Sequence, residues 1–83
     1  MQAAVEISLY PLDAGYIEPI KAFIAKLNAR PGLRVETNAM STQVFGSLDH
    51  VLRVIGEEIE ASALKGPRQV FVMKVIPGLV PHR

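Results

Sequence analysis

The chain of 83 residues contains no cysteine and no tryptophan. Without cysteine the protein can form neither disulfide bonds nor metal sites with thiolate ligands, and its two histidines, His50 and His82, lie far apart in sequence. We therefore expect no metal ion and no cofactor. A chain this short buries only about 60 to 65% of the surface that its unfolded form exposes, so its stability is thin without a partner. These absences favour self-association.

An excess of charge of one sign is also lacking. Nine lysines and arginines against eight aspartates and glutamates give a formal net charge of +1, and the basic residues are scattered along the chain. This distribution argues against a nucleic-acid partner. No apolar run approaches the ~20 residues of a membrane span, and the N-terminus lacks the basic start and apolar stretch of a signal peptide. We expect no membrane partner and a cytoplasmic location.

Hydrophobic periodicity predicts six elements of secondary structure. Apolar residues alternate with polar ones over Val5–Leu12, which is typical of a half-buried strand. An amphipathic helix should begin near Tyr16 or Ile17, because Pro19 is tolerated only in a first turn. Its apolar stripe consists of Ile17, Ile20, Phe23, Ile24 and Leu27.

Two short segments at 33–38 and 42–46 predict a β-hairpin. Ser47 can cap a second helix, which the sequence around Lys65 to Pro67 should end. The last strand is predicted over Gln69–Ile76. The stripe of the second helix consists of Leu48, Val51, Leu52, Ile55 and Ile59.

This order of elements, βαββαβ, predicts one α+β domain of ferredoxin-like architecture over residues 1–83. In that sandwich a four-stranded antiparallel sheet carries both helices on one face, with the first and third strands in the centre. The fourth strand is apolar on both sides: if Phe71 and Met73 face the helices, Val70 and Val72 face away. Such a strand normally has both faces covered. We therefore expect a homo-oligomer, a dimer or tetramer, that covers the open face or an exposed strand edge.

Motifs of several other functions of such a domain are missing. The segment after the first strand, residues 11–15, contains neither the glycine-rich phosphate loop nor the arginine of an acylphosphatase. A metallochaperone needs Cys-x-x-Cys, and an RNA-recognition module needs paired aromatics on a basic surface. No catalytic dyad or triad is evident either. The sequence therefore favours binding over catalysis, with a structural or regulatory protein-interaction module as the alternative function.

Polar side chains of the first strand form the first candidate site. Glu6, Ser8 and Tyr10 share one face of that strand, and Lys74 on the neighbouring fourth strand should point the same way. Together they could bind a polar ligand in a pocket closed by oligomer contacts. The simpler alternative is a cross-strand ion pair between Glu6 and Lys74.

The predicted hairpin is the second candidate site, because residues 36–43 are almost all hydrogen-bonding or soft side chains. Turn formation explains only part of that composition. Its register stays open: a two-residue loop directs Thr42 and Val44 toward the helices, and a three-residue loop directs Phe45 there.

Two features of the second helix have a simpler interpretation. His50 is expected to be solvated, and the acidic cluster Glu57, Glu58 and Glu60 is expected to be a solvated face. Arg53 lies within i,i+4 reach of Glu57.

Four segments together resemble the thiamine-binding protein family, the YkoF-type and related small proteins. They read V-E-I-S-L-Y-P-L at 5–12, Y-I-x-P-I-K-x-F-I at 16–24, V-E-T-N-x-M-S-T-Q at 35–43 and V-F-V-M-K at 70–74. The resemblance implies a ferredoxin-like domain that is homo-oligomeric when it occurs singly. It also implies noncovalent binding of thiamine or its hydroxymethylpyrimidine portion, without known catalysis. Some family members carry two such units in one chain, so ligand affinity need not transfer to a single unit.

Chemical matching to such a ligand selects residues from both candidate sites. An aminopyrimidine presents donors and acceptors in one plane, and a thiazolium is a cation that suits a carboxylate or an aromatic face. Tyr10 or Met40 would lie against a ring. The residues suited to the pyrimidine are Glu6, Ser8, Asn38, Ser41 and Thr42.

Overall fold

A computed structural model describes residues 1–12, 17–38, 41–65 and 68–78. It contains the six expected elements in the expected order, and the architecture is the ferredoxin-like α+β fold. The first strand begins three residues earlier than predicted, at Gln2. Within the described residues, no helix is both long and apolar enough to cross a membrane. The elements are β1 (Gln2–Pro11), α1 (Ile17–Asn28), β2 (Arg34–Thr37), β3 (Thr42–Ser47), α2 (Leu48–Lys65) and β4 (Gln69–Pro77).

The sheet has the strand order β2-β3-β1-β4, with every neighbouring pair antiparallel. This confirms that β1 and β3 are central. Thr37 pairs with Thr42. Thr42 and Val44 are buried and point toward the helices, whereas Phe45 points to the open face together with Glu6 and Lys74. Of the two hairpin registers that the sequence left open, the structure therefore has the one expected for a two-residue loop.

The core lies between the helices and one face of the sheet. Ser47 caps α2 as predicted, since the backbone N–H of His50 donates to its Oγ at 3.3 Å. The expectation that Leu52 belongs to the buried stripe of α2 is wrong: Leu52 is exposed, and Val54 is buried instead. The actual stripe runs at i, i+3, i+4 and i+7 from Val51, so its last position is a glutamate. The largest fully buried side chains are Ile7, Leu27, Ile55, Val5, Val44, Val51 and Val54.

The expectation that Glu57, Glu58 and Glu60 form a solvated acidic face is wrong for Glu58. Its side chain is 10% exposed, and its Oε2 accepts a hydrogen bond at 2.8 Å from Arg30, which lies just beyond the end of α1. The same guanidinium also pairs with Glu57. The hydrogen bond from Arg30 holds the pKa of Glu57 below its ordinary value, and the two carboxylates raise the pKa of Arg30. Arg30 therefore clamps the end of α1 to α2.

His50 is only partly buried, which is compatible with the expected solvated side chain, but its ring also has two protein partners. Its Nε2 lies 2.9 Å from the carbonyl oxygen of Pro31, and its Nδ1 lies 2.8 Å from a guanidinium nitrogen of Arg53. A carbonyl can only accept and a guanidinium can only donate, so this network assigns the proton to Nε2.

The fourth strand is the part of the sheet least covered by the helices. Phe71 packs against Phe23, with ring centroids 5.2 Å apart. Elsewhere in β4, apolar side chains on both faces of the sheet are between 39% and 52% exposed. Among the described strands β4 pairs only with β1, so its outer edge is also available. These exposed side chains are Val70, Val72, Met73, Val75 and Ile76.

Candidate functional site

The two neighbours of β1 differ in length, and this difference opens a cleft. On one side β1 pairs with β4 as far as Pro11, but on the other side its pairing with β3 ends at Ile7 and Thr42. The last residues of β1 thus have a described strand on one side only. The resulting cleft, here called the β1–α1 cleft, has a volume of about 360 Å³ and lies between the end of β1, α1 and the end of the hairpin. This volume is at the lower end of the range for small-molecule pockets, about 300 to 1,000 Å³.

The cleft has an apolar wall and a polar border. Leu9, Ile20, Phe23 and Ile24 supply apolar surface from β1 and α1. Hydroxyl, phenol and amide groups supply the border. An apolar wall with a few convergent polar groups is typical of small-molecule sites. The polar border consists of Ser8, Tyr10, Thr37, Asn38, Ser41 and Thr42.

The structure brings most of the sequence-selected residues together at this cleft. Ser8, Tyr10, Asn38, Ser41 and Thr42 line it. Glu6, a sixth selected residue, lies on the open face, and its carboxylate reaches the border of the cleft through a hydrogen bond from Ser41. Met40, the seventh, lies outside the described residues.

Backbone and side-chain hydrogen bonds hold the hairpin end of the cleft in shape. The N–H of Asn38 donates to the carbonyl oxygen of Ser41 at 3.0 Å, and the N–H of Ser41 donates to Oδ1 of Asn38 at 3.0 Å. The hydroxyls of Thr37 and Thr42 lie 3.2 Å apart, and Thr42 is buried on the helix side. Asn38 therefore shapes the turn and borders the cleft at the same time.

Glu6 joins the cleft to the open face of the sheet. Its Oε2 accepts a hydrogen bond from the Ser41 hydroxyl at 3.0 Å, and its Oε1 lies 3.7 Å from Nζ of Lys74, which is directly opposite on β4. Both side chains are well exposed, so this ion pair contributes little to stability. The cross-strand ion pair, which the sequence offered as the simpler alternative, is present, and the binding role of these side chains stays a prediction.

A second groove lies on the open face beside Glu6. Its volume is about 330 Å³, and Gln43, Phe45, Lys74 and Ile76 contribute to its lining. Glu6 and Lys74, the two charged residues of the first candidate site, thus line this groove. The β1–α1 cleft, in contrast, has an uncharged lining in the described part of the chain.

The α1 wall of the cleft was not identified from the sequence. Ile20 and Ile24 were assigned only to the core stripe, and both are in fact partly buried. Hydrophobic periodicity shows which face of a helix packs inward, but not where the packing stops short of the sheet. No signal in the sequence distinguishes these two side chains from ordinary core residues.

The fold and the cleft together define a small ferredoxin-like protein with a ligand-sized cleft. The model of the family described as thiamine-binding protein matches residues 5–76. The chain therefore belongs to the thiamine-binding protein family, as the sequence motifs indicated.

Solved structures give the same fold. Hypothetical protein MJ1052 from Methanocaldococcus jannascii is 28% identical with a TM-score of 0.80, over 98% of this chain and 84% of that one. Protein SP2199 from Streptococcus pneumoniae is 22% identical with a TM-score of 0.86, over 95% and 89%. TM0486 from Thermotoga maritima, described as a candidate thiamine biosynthesis or salvage protein, is 19% identical with a TM-score of 0.81, over 90% and 82%. No curated protein matches the chain significantly.

Proposed function

We propose that this protein binds thiamine, or its hydroxymethylpyrimidine portion, noncovalently in the β1–α1 cleft, and that it does so as a homo-oligomer without catalysis or a further cofactor. Family membership supports a small-molecule binding role. The observation that carries the proposal is the gathering of polar side chains from β1 and the hairpin around one ligand-sized cleft. These residues come from segments far apart in the chain.

The chemistry of the border matches an aminopyrimidine. Hydroxyls such as those of Ser8 and Ser41 can each donate or accept a hydrogen bond, which suits ring nitrogens and an exocyclic amino group alike. The apolar surface of Ile20 and Ile24 suits the flat faces of the ring. Tyr10 is well exposed beside the cleft, so its ring is available to stack on a ligand or to face a thiazolium cation.

Isothermal titration calorimetry with thiamine and with hydroxymethylpyrimidine tests the ligand directly. We expect saturable heat with at least one of the two compounds. The absence of heat with both, up to a ligand concentration of about 1 mM, would contradict the proposal, because it limits any affinity to less than about 4 kcal/mol.

Glu6→Gln tests whether the carboxylate at the cleft border takes part in binding. The substitution keeps the size of the side chain but removes its charge, and a hydrogen bond to a charged group is worth about 1.5 to 3 kcal/mol. We expect about 10- to 100-fold weaker binding of the aminopyrimidine with unchanged thermal stability. Glu60→Gln, at an exposed position of α2, is the matched control and should bind like the wild type. Equal affinity of both variants would remove Glu6 from the proposed site.

A further inference from the structure

We propose that the β1–α1 cleft selects its ligand by charge: it accepts the unphosphorylated compound and rejects its phosphate esters. The inference rests on the proposed function and adds the form of the ligand that is bound. The observation behind it is the uncharged lining of the cleft, in which no described residue is a lysine, arginine or histidine.

A phosphate group in this cleft would lose water without gaining a counter-charge. Burying an unpaired charge is costly, and proteins that hold phosphates therefore surround them with arginine, lysine or the free N–H groups of a helix N-terminus. The helix that forms the wall of the cleft is poorly suited to that task. Its first turn contains Glu18, which repels anions, and Pro19, which has no N–H to donate.

The charges at the border of the cleft also disfavour a phosphate group. Glu6 brings a negative charge next to the border through its hydrogen bond with Ser41. The ammonium of Lys74 is 3.7 Å from that carboxylate, and Lys74 contributes to the open-face groove, not to the lining of the cleft. A neutral pyrimidine or a thiazolium cation is compatible with this arrangement, and a diphosphate is not.

The test is a calorimetric comparison of four compounds: hydroxymethylpyrimidine, thiamine, thiamine monophosphate and thiamine diphosphate. We expect thiamine or the free pyrimidine to bind, and each phosphate ester to bind at least about tenfold more weakly than thiamine, since a tenfold change corresponds to about 1.4 kcal/mol. If the diphosphate binds as tightly as thiamine or more tightly, the inference is overturned while the proposed function stands. If none of the four binds, the proposed function itself fails and the inference fails with it.

A charge introduced at the border provides the second test. Thr37 is exposed and lines the cleft, so a lysine there can reach a bound phosphate. We expect Thr37→Lys to bind the diphosphate at least about tenfold more tightly than the wild type does, with a gain that salt reduces. Thr37→Gln, which is long but uncharged, is the control and should show no gain. A folded Thr37→Lys protein that rejects the diphosphate as strongly as the control would overturn charge as the basis of selection.

Discussion

At the scale of single residues, Gly46 shows how closely β3 packs against α2 and the loop after α1. This glycine lies in β3 on the side of the helices. A Cβ at this position would lie 3.0 Å from Cγ2 of Val51 and 3.1 Å from the backbone oxygen of Gly32. A backbone atom cannot rotate away as the end of a side chain can. β3 therefore approaches the loop after α1 this closely only because residue 46 has no side chain.

Gly46→Ala should therefore destabilise the protein. Overpacking a close contact typically costs about 1 to 3 kcal/mol. Gly56→Ala is the matched control, because a Cβ there meets nothing within 4 Å and alanine is favoured in a helix by up to about 1 kcal/mol. Urea unfolding should show a lower free energy of unfolding for Gly46→Ala and an equal or higher one for Gly56→Ala. Similar values for the two variants would contradict the packing argument.

At the scale of elements, the clamp formed by Arg30 joins the two helices at one end. Arg30 lies beyond α1, and its guanidinium contacts two successive glutamates of α2, Glu57 and Glu58. The sequence suggested Arg53 as the partner of Glu57 because the two share a helix face. The tertiary arrangement brings the guanidinium of Arg30 to Glu57, while Arg53 contacts His50 and also helps to lower the pKa of Glu57 through its charge. Partners from different elements cannot be read from helical spacing.

The clamp should make stability depend on pH in the acidic range. The hydrogen bond from Arg30 lowers the pKa of Glu57 in the folded state relative to its ordinary value near 4.5. Its contribution is therefore fully present above that ordinary value and is lost as the pH falls through the lower, folded pKa. We expect Glu57→Gln to lower the thermal midpoint near neutral pH, with the difference from wild type shrinking in acid.

The control for this measurement is again Glu60→Gln. Glu60 is an exposed carboxylate of the same helix, and among the described residues it has no ion pair. Its substitution should leave the midpoint nearly unchanged at every pH. A difference between wild type and Glu57→Gln that stays constant from neutral to acidic pH would show that the clamp does not act through the charge of Glu57.

At the scale of the whole molecule, the helices leave much of β4 uncovered. Its apolar side chains are exposed on both faces of the sheet, although a strand of this composition normally has both faces buried. Exposure on the open face agrees with the expectation from the sequence. Exposure of Met73 and Val75 on the helix face goes beyond it, because the alternation of β4 does not reveal how far the helices extend. A second copy of the chain would cover this strand most simply.

Val72→Asp tests the assembly. If β4 lies in a subunit interface, the new carboxylate is buried without a partner, which costs several kcal/mol and should shift the oligomer toward monomers. Light scattering should show a lower mass for this variant than for the wild type. Leu64→Asp, at an 82% exposed position of α2, is the matched control and should keep the wild-type mass.

Two results would contradict the homo-oligomer. One is a wild-type protein that is monomeric in dilute solution, and the other is an unchanged mass for Val72→Asp. A monomer that co-purifies with a stoichiometric heterologous protein would favour the alternative function, an interaction module that docks through this strand.

The sequence by itself determined the order of the elements, the face of β1 that carries Glu6, Ser8 and Tyr10, and membership of the family. These follow from local periodicity, turn residues and motifs, which depend on neighbours within a few positions along the chain. Only the tertiary structure decided the hairpin register, the pairing of Arg30 with α2 and the position where β3 stops short of β1. Both hairpin registers bury apolar side chains, so the local pattern does not select one of them. The pairing of Arg30 with α2 and the extent of β3 beside β1 depend on how distant segments pack, which local patterns do not show either. The cleft exists because β3 pairs with β1 only as far as Ile7, whereas β1 continues to Pro11. That difference is a property of the assembled sheet.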